Sequence, residues 1–136
     1  MEDDLQILFV YGSLRPALAQ GESLRLVADL EQLGAASVPG DLYDLGDYPG
    51  MVAGSGRVWG DLLRVSNRER FDQLDDYEEC RGNPPLFRRV RLTARRTDGS
   101  CCSAWAYLYA GSVASGRHLP DGDYAAHLKR GRARRP

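Results

Sequence analysis

The 136-residue sequence is short of the residues that build metal centres, disulfide frameworks and membrane spans. It has two histidines, His118 and His127, and three cysteines, of which Cys101 and Cys102 are adjacent. Structural and catalytic metals are held by several such ligands at short, defined spacings, so no metal site is expected. An odd cysteine count makes a poor disulfide framework, and the opening MEDDLQ is acidic where a secretion signal would be basic. Both point to a reducing, cytoplasmic setting. No apolar run approaches the ~18 residues of a membrane-spanning helix. With 18 basic and 19 acidic residues, the net charge of −1 gives no global attraction to nucleic acid or to an anionic membrane.

Hydrophobic residues make up 43% of the chain and charged residues 27%, ordinary values for a folded domain of this length. Residues 1–128 read as a single domain and 129–136, KRGRARRP, as a basic, flexible tail, solvated rather than bound to nucleic acid. Near the start, LFVYGSLR reads as a buried strand that stops at Gly12-Ser13. Leu26, Val27, Leu30 and Leu33 share one helical face, which predicts a helix over 21–33 stopped by Gly34. The segment 35–60 is rich in glycine and proline and predicts only short extended pieces, followed by a strand over 57–65. Ser66-Asn67-Arg68-Glu69 reads as a capping box opening a short helix that runs to about Glu78. Two strands, 87–96 and 101–109, are joined by TDGS, a hairpin signal. The order β-α-β-β-α-β-β predicts an α+β domain, with a small curved or barrel-like sheet flanked by helices.

The second helix ends in LDDYEEC, with four acids at the helix terminus that already carries partial negative charge. Asp72, Asp76 and Glu79 read as a solvated acidic face. Glu78 is different, because at about 100° per residue it falls under Phe71 and beside Leu74 on the apolar stripe. A carboxylate aimed into the protein must be paired or used. Desolvation and the like charges of Asp75 and Glu79 are expected to raise its pKa, which suits a proton shuttle. An inward salt bridge to Arg88 or Arg89 is the competing reading.

These motifs, taken in order, resemble the gamma-glutamylcyclotransferase-like superfamily. YGSLR resembles its opening signature, GDLYDLGDYPGM its glycine- and proline-containing stretch, and LDDYEE the helix bearing its catalytic glutamate. FRRVRL with AWAYLY resembles its closing strand pair, and LPDGDY its final short motif, so the likeness spans residues 7–124. The nearest subgroup is the small single-domain kind that includes gamma-glutamylamine cyclotransferase and related deglutamylases. The resemblance implies a small mixed β-barrel flanked by helices, and cofactor-free cyclisation of a gamma-glutamyl amine or amide to 5-oxoproline. It implies Glu78 as general base and then acid, and the loop Tyr11, Gly12, Ser13 and Leu14 as substrate-binding. Tyr107 and Tyr109 are candidates for the cavity wall or, equally, for plain core. The expected partner is a small gamma-glutamyl substrate, with no nucleic acid and no membrane, in a monomer or weak dimer. Two positions depart from the family pattern: Glu79 stands where glycine is usual, and Phe87 where tyrosine is common.

The chemistry gives these residues their roles. An α-ammonium near pKa 8 cannot attack a carbonyl until a base takes its proton. Successive backbone N–H groups at the Gly12 turn suit an α-carboxylate or a developing oxyanion. Ser13 is not expected to act as a nucleophile, since no Ser-His-Asp set is visible. A setting in which the same reaction unmasks a protected biosynthetic intermediate, and a non-catalytic carboxylate-binding module, are the alternatives.

Overall fold

The computed structural model describes residues 6–80, 82 and 84–133. Its elements follow the order β1 (Gln6–Val10), α1 (Gly21–Val27), β2 (Glu31–Asp44), β3 (Pro49–Val65), α2 (Arg68–Tyr77), β4 (Phe87–Arg96), β5 (Cys101–Tyr109), β6 (Arg117–Leu119) and α3 (Tyr124–Ala133). The strands run β3-β1-β5-β4-β2, and β2 pairs back onto β3, closing a five-stranded barrel with β6 added at the edge of β2. The barrel is mixed, because β1 runs antiparallel to β3 and parallel to β5. This is the α+β barrel with flanking helices that the sequence predicts. Among the described residues, no helix is long and apolar enough to cross a membrane.

From Ile7 to Val10 β1 is continuously apolar, because both faces of this stretch are covered. Phe9 packs into a cluster with Val38, Leu42, Met51, Val58 and Leu62, while Leu8 and Val10 pack with Val27, Phe71 and Leu74 of the helices. One strand thus feeds two cores, one between the strands and one beneath α1 and α2. The hairpin β4–β5 forms at its predicted bounds, with Arg91 opposite Trp105 and Thr93 opposite Ser103. Its turn uses Gly99 at φ 90°, the conformation glycine adopts without strain.

Three expectations are corrected. The first helix ends at Val27, not Leu33, and Glu31 begins β2. Leu26, Val27 and Leu30 do pack under the helices, so their spacing reflected real burial, but Leu33 joins the other core as a strand residue. Gly34 is no helix stop: it follows a register irregularity in β2 and has φ 106°. The stretch read as short extended pieces is instead a long hairpin, β2 with β3, paired from Glu31↔Arg64 to Asp44↔Pro49. Several of its glycines sit where neighbours come close; a methyl group at Gly60 would strike the carbonyl oxygen of Val10. Finally, Asn67 rather than Ser66 caps α2, its side chain accepting the Arg70 N–H at 2.7 Å. Helix α3 runs into the basic stretch as far as Ala133, and residues 134–136 of the expected tail lie outside the described residues.

Asn67→Ala should lower stability by about 1 kcal/mol through loss of one cap. Gly60→Ala should destabilise more, because the clash is with backbone that cannot rotate away. Urea unfolding of both variants checks this ranking.

Candidate active site

A cavity of about 240 Å³ opens at one end of the barrel. Its walls are the turn after β1 (Tyr11 to Leu14), the end of α2 (Tyr77, Glu78, Glu79), the start of β3 (Tyr48, Pro49), and Leu86, Phe87 and Tyr107. Glu78 and the Gly12 turn, singled out on separate grounds in the sequence, therefore share one cavity.

The turn is held from outside. Arg15 N–H donates to the Gly12 carbonyl at 2.9 Å. The Arg15 guanidinium reaches Asp61 on β3 at 2.9 Å and Asp123, just before α3, at 3.3 Å. Asp123 also accepts the Ala126 N–H at 3.1 Å, so the same carboxylate caps α3. Glycine at position 12 is a packing requirement, since a Cβ there would lie 2.7 Å from Pro49 Cγ. Among the described residues, the amides of Gly12, Ser13 and Leu14 donate to no protein acceptor. Backbone N–H groups left over in this way are the raw material of an anion-binding nest. The Ser13 hydroxyl lies 2.9 Å from that of Tyr77.

Two tyrosines fix the floor. The Tyr11 hydroxyl donates to the Tyr107 carbonyl at 2.6 Å and accepts the Met51 N–H at 3.2 Å. Burial, with the Glu78 charge nearby, pushes its phenol far above the ordinary value, so it stays neutral. The Tyr107 hydroxyl donates to Asp75 Oδ1 at 2.7 Å, and burial followed by that carboxylate keeps it protonated as well. Tyr109 does not join the lining; it packs edge-on against Phe87 at 5.5 Å and against Tyr48 at 6.5 Å, behind the wall.

Glu78 follows the last residue of α2 at φ −85°, ψ 5°, with its N–H still bonded to the Leu74 carbonyl at 3.0 Å. Its side chain lines the cavity, although the residue as a whole is only half-buried. Desolvation raises its carboxyl pKa to about 7, and the neighbouring Glu79 charge adds to the rise. Two details of the sequence reading change here. Asp75 does not contribute to that rise: it is bound by the Arg89 guanidinium at 2.9 and 3.3 Å and by Tyr107. Arg89 is thus the inward-reaching arginine, but its partner lies one turn before Glu78.

Glu79 is the other surprise. It is exposed, yet it lines the cavity and adopts φ 55°, the one non-glycine positive φ among the described residues. The chain reverses there, with the Glu79 carbonyl accepting the Leu86 N–H at 3.0 Å. Tyr48, Pro49, Tyr77 and Leu86 also line the cavity and are not among the residues expected there from the sequence. For Tyr48 and Pro49 the signal was present in the GDLYDLGDYPGM stretch; for Tyr77 only the helix–turn contact reveals it. Among the described residues, no group of three or more His, Cys, Asp or Glu side chains could hold a metal ion.

Residues 8–126 match the profile of the family described as "Gamma-glutamyl cyclotransferase, AIG2-like". A curated relative, the gamma-glutamylcyclotransferase family protein YtfP of Escherichia coli K12, is 34% identical over 118 residues, covering 86% of this chain and 94% of the relative. Among solved structures, YkqA from Bacillus subtilis aligns with a TM-score of 0.74 at 20% identity, over 97% of this chain but 44% of YkqA. An AIG2-like protein from Mus musculus aligns with a TM-score of 0.67 at 20% identity, over 82% of this chain and 81% of that protein. The two structural likenesses speak for the fold.

The raised pKa of Glu78 has a consequence for stability. An acid that binds its proton more tightly in the folded state contributes fully below its ordinary value of 4.5, and that contribution is lost as pH rises to about 7. At about 1.4 kcal/mol per pKa unit, the loss is on the order of 3 kcal/mol at most. Glu78→Gln cannot ionise, so it should gain about 2–3 kcal/mol over the parent between acidic and mildly alkaline pH. Urea unfolding across that range measures the difference; a pH-independent gap would mean a solvated carboxylate.

Proposed function

The chain belongs to the AIG2-like gamma-glutamyl cyclotransferase family, and on that premise we propose that it cyclises the gamma-glutamyl group of a gamma-glutamyl amine or amide to 5-oxoproline, releasing the amine. The observation that carries this reading is that one cavity is lined by Glu78 and by the Gly12 turn, whose amides have no acceptor among the described residues. A carboxylate-binding pocket has no use for a second, desolvated acid unless that acid handles a proton.

In the proposed reaction the α-carboxylate of the substrate rests on the amides of Gly12, Ser13 and Leu14. Tyr11, neutral and doubly hydrogen-bonded, is a rigid floor rather than an acid. Glu78 as carboxylate takes a proton from the α-ammonium. With a pKa of about 7 it is closely matched to an α-amine near 8. The freed amine attacks the γ-carbonyl carbon, forming the ring C–N bond, and the former amide C–N bond breaks. Glu78, now protonated, returns that proton to the departing amine, and the second proton that the ring nitrogen sheds in becoming a lactam N–H also leaves with the amine, as its ammonium. Atoms and protons balance within the substrate, so neither water nor a cofactor is consumed. Holding the flexible glutamyl chain bent is the other contribution, for which ideal intramolecular cases reach about 7–11 kcal/mol. Tyr107 completes the wall, and Tyr109 supports it through Phe87.

Incubation with a panel of gamma-glutamyl amines, gamma-glutamyl dipeptides and glutathione, read by mass spectrometry, should yield 5-oxoproline from at least one member. Glu78→Gln should bind the same substrate and produce none. The acid limb of kcat/KM should have an apparent pKa of about 7. Ligand binding with no product from the parent across the panel would instead favour a carboxylate-binding module.

A further inference from the structure

Glu79 occupies a backbone conformation that resists it. The position just past a helix is commonly glycine in the left-handed region, because a side chain there is strained. Glu79 has φ 55° all the same, and it sets a second carboxylate beside Glu78. Strain of this kind at a cavity is a pointer to function.

Its location indicates which function. Glu78 is the inner acid, whereas Glu79 is exposed and lines the same cavity. The Tyr48 phenol, in the wall contributed by the start of β3, is raised by burial first and by Tyr109, with the charges of Glu79 and then Asp47 adding smaller pushes in the same direction. No ion pair satisfies Glu79 among the described residues, and no lysine or arginine described here lines the cavity. The phenols that line the cavity with Glu78 and Glu79, those of Tyr11, Tyr48, Tyr77 and Tyr107, carry no positive charge. As the exposed acid of the pair, Glu79 stands to the solvent side of Glu78, the side toward which a gamma-glutamyl substrate held on Glu78 and the Gly12 turn would extend its departing amine.

We infer that Glu79 selects substrates by charge, favouring gamma-glutamyl amides whose amine portion carries a second, cationic group. The inference rests on the cyclotransferase reading for the orientation of the substrate. A carboxylate at an exposed site gains up to about 1 kcal/mol from a cation, or roughly fivefold.

Three probes of similar shape test it: gamma-glutamyl diaminobutane, with a cationic end, gamma-glutamyl pentylamine, neutral, and gamma-glutamyl aminobutyrate, anionic. Affinities are measured by calorimetry on the intact chain carrying Glu78→Gln, and again with Glu79→Gln added, which keeps the size of the side chain at position 79. The first should bind cationic over neutral over anionic probe, with about fivefold between the first two at low salt. In the double variant that ratio should fall toward one. Any effect of Glu79 on Glu78 itself drops out, because Glu78 is absent from both and ratios are compared. Equal affinities in the first protein, an unchanged ratio in the second, or no binding of any probe would each overturn the inference. Turnover by the parent is read separately: 5-oxoproline formed without a charge preference leaves the cyclotransferase reading standing and removes Glu79 from it.

Discussion

The last turn of α2 is tied to the barrel wall through one carboxylate. Asp75 accepts the Arg89 guanidinium from β4 at 2.9 and 3.3 Å and the Tyr107 hydroxyl from β5 at 2.7 Å. Three residues later the helix ends, and Glu78 leaves it on the side where the cavity opens. Without that anchor the helix end could rotate, and an acid with a pKa of about 7 would ease into water and return to its ordinary value. The Arg89 guanidinium is itself held over the rings of Phe71 and Trp105, at 4.5 and 4.7 Å from their centres. The anchor thus has its own support, from the helix core on one side and the strand face on the other.

The opposite wall is built on different physics. The Gly12 turn is shaped by contact with Pro49 and by Arg15, which bridges to Asp61 and Asp123. These ties use the Gly12 carbonyl and the Arg15 side chain, and among the described residues the amides of Gly12 to Leu14 have no acceptor. Two walls held rigid by unrelated interactions, one presenting an acid and the other presenting donors, suit a reaction whose barrier depends on holding a flexible substrate bent. Tyr11 links them, since its hydroxyl joins β5 to β3 directly beneath the cavity.

Local signals in the sequence were the legible ones. The hairpin β4–β5 was readable because TDGS sets its own register within a few residues. The inward direction of Glu78 was readable because helical periodicity needs nothing beyond the helix. The β2–β3 hairpin was not, because its glycines look like loop residues until Val10 and Met51 are packed against Gly60 and Gly40. The end of α1 escaped for a related reason: Leu30 and Leu33 fit one helical stripe, yet they serve two different cores once β2 pairs with β3. Of the candidate site, the acid and the turn could be named, but the neutralisation of Asp75, the retreat of Tyr109 behind Phe87 and the strained backbone of Glu79 all depend on long-range contacts or on the turn they shape.

The measurement that bears most directly on this account is a crystal structure of the protein soaked with 5-oxoproline, the proposed product. The account predicts the ring in the cavity, its carboxylate on the amides of Gly12 to Leu14 and its ring nitrogen within hydrogen-bond distance of the Glu78 carboxyl. A ring bound elsewhere, or seated with its carboxylate turned away from those amides, would contradict it.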